Sequence, residues 1–157
     1  MTATAHALVA GAIAAKFPDP LTASTLAFIS HFIMDAIPHW DMGTHWRLRS
    51  KYTTGVLAIA ETTLGITVAY LVFGGKIGLP FLATVVLFSL LPDWLETPWY
   101  IFFASQTHDE PKKNAGFWEQ LTYRIYKLEN VFHTKANFPL GLITQIITVA
   151  FFFVLLK

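Results

Sequence analysis

An all-α integral membrane bundle is the fold class this sequence predicts, with four to five hydrophobic helices and one amphipathic helix at the interface. Two observations carry the prediction. Hydrophobic residues make up 54% of the chain and charged residues 13%, against about a quarter charged in an ordinary soluble domain. The charges are also clustered between long apolar runs. The 157 residues suit one domain, here a single membrane domain over 1–157 with residues 105–137 as a loop and amphipathic helix on the cytoplasmic side.

The first apolar run, His6 to Phe17, is short for a membrane crossing of about 20 residues and is stopped by Pro18-Asp19-Pro20. It reads as a half-span or as a helix packed inside the bundle. The second, Leu21 to Ile37, is closed by Pro38. The third, Tyr52 to Phe73, ends at Gly74-Gly75. The fourth, Ile77 to Ala104, is interrupted by Pro92 and Pro98. The fifth, Phe138 to Leu156, has only Thr144, Gln145 and Thr148 as polar residues. Between the last two runs, Phe117, Leu121, Ile125, Leu128 and Phe132 recur at helical spacing. Glu119, Arg124, Lys127 and Glu129 fall off that stripe, which gives an amphipathic helix with a solvated polar face. Trp94, Trp99 and Tyr100 read as an interfacial aromatic belt.

Charge excludes some functions and orients the chain. A net charge of +1 provides no field for nucleic acid. With no cysteine, there are no disulfides, thiolate zinc sites or cysteine nucleophiles, so any metal must sit on His, Asp and Glu. If all five runs cross, one side holds Arg47, Arg49, Lys51, Lys112, Lys113, Arg124, Lys127 and Lys135, and the other holds Lys16, Lys76 and Lys157. The richer side is expected to be cytoplasmic.

Ionisable groups inside apolar runs are costly, and each is a candidate for function. His31 and Asp35 are four apart and share a helical face. His39 and Asp41 follow just after Pro38, with His45 beyond them. Imidazole and carboxylate together suit zinc, iron or manganese. Asp93 and Glu96 form an i, i+3 pair framed by two prolines. His6 opens the first run, Glu61 sits in the third, and His133 closes the amphipathic helix. His108 lies in the polar loop. Topology brings His6, the end of the second run, Asp93, Glu96 and His133 to one depth.

The Thr2-Ala3-Thr4-Ala5-His6 start, the Leu90-Leu91-Pro92-Asp93 turn followed by Glu96 and Pro98, and Phe132-His133-Thr134 resemble the YdjM-type membrane-bound metal-dependent hydrolases. The chain departs from that pattern in Glu96-Thr97-Pro98, where a His-Pro context is usual, and no Arg-Gly precedes His133. The His31-xxx-Asp35 element with Pro38 and His39 also resembles the zinc-dependent phospholipase C and nuclease fold. Both resemblances imply metal-assisted hydrolysis. The expected ligands are His6, His31, Asp35, His39 and Asp93, with Glu61 and His133 as further candidates. Glu96 is the expected general base, with Asp41 in reserve. The cofactor is a divalent metal, zinc before others, and the ligand supply suits two ions. Arg47 and Arg49 are candidates for a substrate phosphate, although plain cytoplasmic loop charge is the favoured explanation of them. The expected partners are membrane lipids. The competing reading is a non-enzymatic membrane protein, an ion or proton pathway, small transporter or accessory subunit, using the same buried residues.

Overall fold

The computed structural model describes residues 1–41, 48–104 and 109–157. His45, Arg47 and His108 lie outside the described residues. Six α-helices, and no strand, occur among the described residues: α1 Ala3–Lys16, α2 Pro20–Asp35, α3 Lys51–Phe73, α4 Leu79–Pro98, α5 Phe117–Phe132 and α6 Leu140–Leu155. The helix starts are set locally. Thr2 caps α1, Asp19 caps α2 by accepting from Thr22 N–H at 2.7 Å, with Pro20 in the first turn, and Ser50 caps α3. The Thr22 hydrogen bond also holds the Asp19 carboxyl below its usual range. α4 runs through Pro92 and passes after Pro98 into a π-helical turn, Trp99–Phe103, closed by Ala104 N–H to Trp99 O at 2.8 Å.

The sequence predicts four clear membrane segments. Two helices have the length and apolar character to cross a bilayer: α3, and α4 with its π-helical extension. The fifth run yields only the 16 residues of α6, about 24 Å at 1.5 Å per residue, because Phe138 and Pro139 at its start form a turn. α2 is equally short and carries Ser24, Ser30, His31 and Asp35 on its buried side.

The short first run is the centre of the molecule. α1 packs against α2, α3, α4 and α6, and Ala7, Val9 and Ala10 have no exposed surface. The core is built of small residues, Ala23, Ala27 and Ala69 among them, with Met34, Leu82, Val85 and Leu90. Small side chains let the helix backbones approach closely. At Gly65 of α3 an added Cβ would lie 2.8 Å from Ala3 O. Many large apolar residues face outward: Leu71 is 75% exposed, Val154 72% and Phe151 59%.

Two expectations are overturned. Trp99 belongs to the core rather than an aromatic belt: it is fully buried against the rings of Phe103, Tyr123 and Tyr126, joining α4 to α5. Glu129 faces inward and is buried, as is Thr122, while Phe117, Leu128 and Phe132 on the apolar stripe of α5 are exposed. Helical periodicity separates two faces, but it does not say which one the bundle takes.

Candidate metal centre

Each helix end delivers its residue to one place for a local reason. His6 lies one turn into α1, whose first N–H groups are held from outside: Thr2 N–H by Gln145 Oε1 at 2.7 Å and Ala3 N–H by Glu61 Oε1 at 2.9 Å. These are donors that a helix cannot satisfy by itself. His31 and Asp35 occupy the last turn of α2. Pro38 prevents continuation, and the chain leaves in an extended segment that pairs with the residues after α5. Thr134 N–H donates to Asp35 O (2.9 Å), His39 N–H to Thr134 O (3.1 Å) and Ala136 N–H to His39 O (2.7 Å). This short parallel bridge between His39 and Lys135 places His133 beside His39.

Asp35, 2% exposed, lies at the centre. Its Oδ1 is 3.1 Å from His6 Nε2 and 3.8 Å from His39 Nε2. Its Oδ2 is 3.3 Å from His31 Nε2 and 3.8 Å from His133 Nδ1. The Met1 ammonium also contacts Oδ1. Two His-His-Asp sets flank this carboxylate, His6 with His31 and Asp93, and His39 with Asp41 and His133; within each set the ligand atoms lie within 4.8 Å of one another. His31 Nε2 is 3.7 Å from Asp93 Oδ1. In the second set His133 Nε2 is 2.7 Å from Asp41 Oδ2 and 2.9 Å from His39 Nε2.

The orientation of the rings tests whether the site suits a cation. His31 Nδ1–H donates to Ser89 O at 2.7 Å, and His39 Nδ1–H donates to Ile37 O at 2.8 Å. Carbonyls only accept, so in the neutral rings both Nε2 atoms present lone pairs. The His31 Nε2 lone pair has no hydrogen-bond partner and faces two carboxylates. That arrangement is repulsive unless a proton or a metal ion sits between the groups. A carbonyl behind the remote nitrogen is also how ligating histidines are usually oriented. The residues therefore fit a metal. Burial alone would raise the Asp41 carboxyl, but the hydrogen bond from His133, the neighbouring His39 and the nearby Lys135 charge outweigh it and hold it far below the usual range. Asp41 is thus a carboxylate throughout the physiological range, as a ligand must be.

The expected ligands His6, His31, Asp35, His39 and Asp93 all meet here, together with His133. Asp41, the reserve base, stands within a ligand set. Glu61 is not in either set; it holds the start of α1. Glu96 is buried beside Tyr100, with Oε2 lacking a hydrogen-bond partner. Glu61, Glu96 and Arg49 line a cavity of about 120 Å³ that also reaches Asp41, Asp93 and His133. Sequence reasoning missed Ser89, Gln145 and Lys135. Only Lys135, two residues from His133, carried a signal.

Comparison with family models, curated proteins and solved structures returns no match. The geometry of the site therefore carries the functional reading.

Proposed function

We propose that this protein is a membrane-embedded, metal-dependent hydrolase acting on a lipid or other phosphoester at the membrane surface, with two zinc ions as its cofactor. The observation that carries this reading is Asp35, whose two oxygens each face imidazole nitrogens of both His-His-Asp sets. A carboxylate shared between two such sets is the donor arrangement of a two-cation site. His6, His31 and Asp93 hold one ion, and His39, Asp41 and His133 the other. Nitrogen and oxygen donors in this mixture suit zinc, with manganese and iron as competitors. Bound there, the metal supplies a water of lowered pKa and positive charge opposite a developing oxyanion. Glu96 would be the residue placed to accept a proton there: it is buried, borders the same cavity and has an oxygen without a hydrogen-bond partner.

The outward-facing apolar residues of α3 and α6 support embedding in a bilayer, and the exposed apolar stripe of α5 supports its lying at the surface. The candidate ligands gather at one end of the bundle, which favours a surface-facing site over a pathway through the membrane depth. The basic residues of the sequence near that end, Arg49, Lys51 and Lys135 among them, support a cytoplasmic-facing site.

Metal analysis of gently purified protein tests the reading. Wild type is expected to carry two zinc equivalents and Asp35→Asn less than one. Glu96→Gln is expected to keep its metal and lose about 100-fold in phosphoester turnover, the usual scale for a general base. A wild-type protein devoid of transition metal overturns the proposal.

A further inference from the structure

The cavity beside the metal centre has a mixed lining. Asp41, Asp93 and His133 border it together with two cationic side chains, Arg49 and Lys135, and Leu57 and Ala58 of α3 and Trp94 of α4 supply an apolar part of the wall. Trp94 is 40% exposed and spans between the helices, donating its indole N–H to Thr62 Oγ1 at 3.2 Å. The backbone bridge pairs Lys135 with His39, and Lys135 borders the cavity together with Asp41 and His133. At about 120 Å³ the space is well below the 300–1,000 Å³ or so of pockets that enclose whole organic ligands. It suits a compact headgroup, with the rest of the ligand leaving along the apolar flank. The cavity also holds Glu61 and Glu96, so the two cationic side chains alone do not make it attractive to an anion. Metal charge neutralising Asp35, Asp41 and Asp93 is required.

From this we infer that Lys135, assisted by Arg49, is the specificity-determining anion contact of the cavity, and that the ligand is a phosphate group bearing an alkyl chain that runs past Trp94 between α3 and α4. This inference rests on the metal-centre reading. Phosphate is the chemistry shared by a lipid headgroup and a free phosphate. The apolar flank favours the lipid, because each methylene buried there adds about 0.8 kcal/mol, roughly fourfold in affinity.

Calorimetry on zinc-loaded protein in a non-ionic detergent, with inorganic phosphate and with hexyl phosphate as probes, tests this. Zinc content is measured on the same samples. Hexyl phosphate is expected to bind tenfold or more tightly than inorganic phosphate, and chelation is expected to abolish both. Lys135→Met should retain zinc and weaken both probes about tenfold, while Lys135→Arg stays within about threefold of wild type. Trp94→Ala should lower hexyl phosphate affinity towards that of inorganic phosphate and leave the latter unchanged. Equal affinity for the two probes overturns the lipid assignment in favour of a free phosphate. Zinc-replete Lys135→Met that binds as wild type does overturns the role of Lys135 alone. A wild-type protein that takes up no zinc overturns the metal reading, and this inference falls with it.

Discussion

At the scale of single residues, the centre depends on groups that are not themselves ligands. Ser89 offers a main-chain carbonyl that turns His31, and Ile37 does the same for His39. Gly141, at the start of α6, lies under the bridge that positions His39: an added Cβ would come within 2.4 Å of Trp40 N and 2.8 Å of His39 C. Neither contact is with a flexible side-chain end, so backbone must move. Gly141→Ala is therefore expected to cost about 1–3 kcal/mol and to weaken zinc binding, read by denaturation and by metal titration. Glu129 makes a second residue-scale case. Burial raises its carboxyl to about 7, with Asp93 and Asp35 adding to the shift and His31 opposing it. The folded state then holds this proton more tightly than the unfolded chain does. The stabilisation is complete below the ordinary Glu range and is lost as pH rises through about 7. With chelator present, Glu129→Gln should melt like wild type at pH 5 and above it at pH 8. The same difference at both pH values would rule out titration of this group as the cause.

At the scale of elements, α1 shows how a helix with almost no polar surface is held in place. Its start is fixed by Glu61 from α3 and Gln145 from α6. These contacts set the depth of His6 relative to Asp35. Glu61→Leu leaves Ala3 N–H without its acceptor at a half-buried site, a loss of about 1–3 kcal/mol. The zinc affinity of the His6 set is expected to fall with it. Gln145→Ala should act in the same direction. Normal metal affinity in both variants would show that the α1 start does not position His6. α5 illustrates the opposite arrangement, with its polar Glu129 buried against the bundle and Phe117, Leu128 and Phe132 of its apolar stripe exposed. That is the disposition expected of a helix resting on a bilayer. With exposed Phe117 replaced by Trp in a chain whose native tryptophans are Phe, acrylamide quenching is expected to be weaker in lipid vesicles than in the denaturant-unfolded chain, and equal quenching would remove α5 from the bilayer surface.

At the scale of the whole molecule, three carboxylates and four imidazoles gather where helices from distant parts of the chain end. A cation bound there would offset the mutual repulsion of the carboxylates, and metal and folding would then be linked. Zinc at 100 times its dissociation constant stabilises by about 2.7 kcal/mol for a single site. The melting temperature is expected to rise with zinc concentration and to drop on chelation, and the shift should be much smaller in Asp35→Asn. A zinc-independent melting temperature in wild type would separate this cluster from any role in holding metal.

Much of this was legible in the sequence. Apolar runs ended by Pro and Gly gave the helices to within a few residues, because those residues terminate helices through their own backbone chemistry. The spacing of His31, Asp35 and His39 identified part of the site, because helical periodicity and an adjacent proline are local properties. The placement of His6, Asp93 and His133 at one depth also followed, since ordered helices alternate in direction. Other features were decided only by tertiary structure: that the short first helix is the buried core, that Trp99 packs inside, that Glu129 faces inward, and that Lys135 pairs with His39 across 96 positions of sequence. Each depends on which helix face meets which neighbour. A periodic pattern defines that a face exists, but the partner that covers it is chosen by packing over the whole chain.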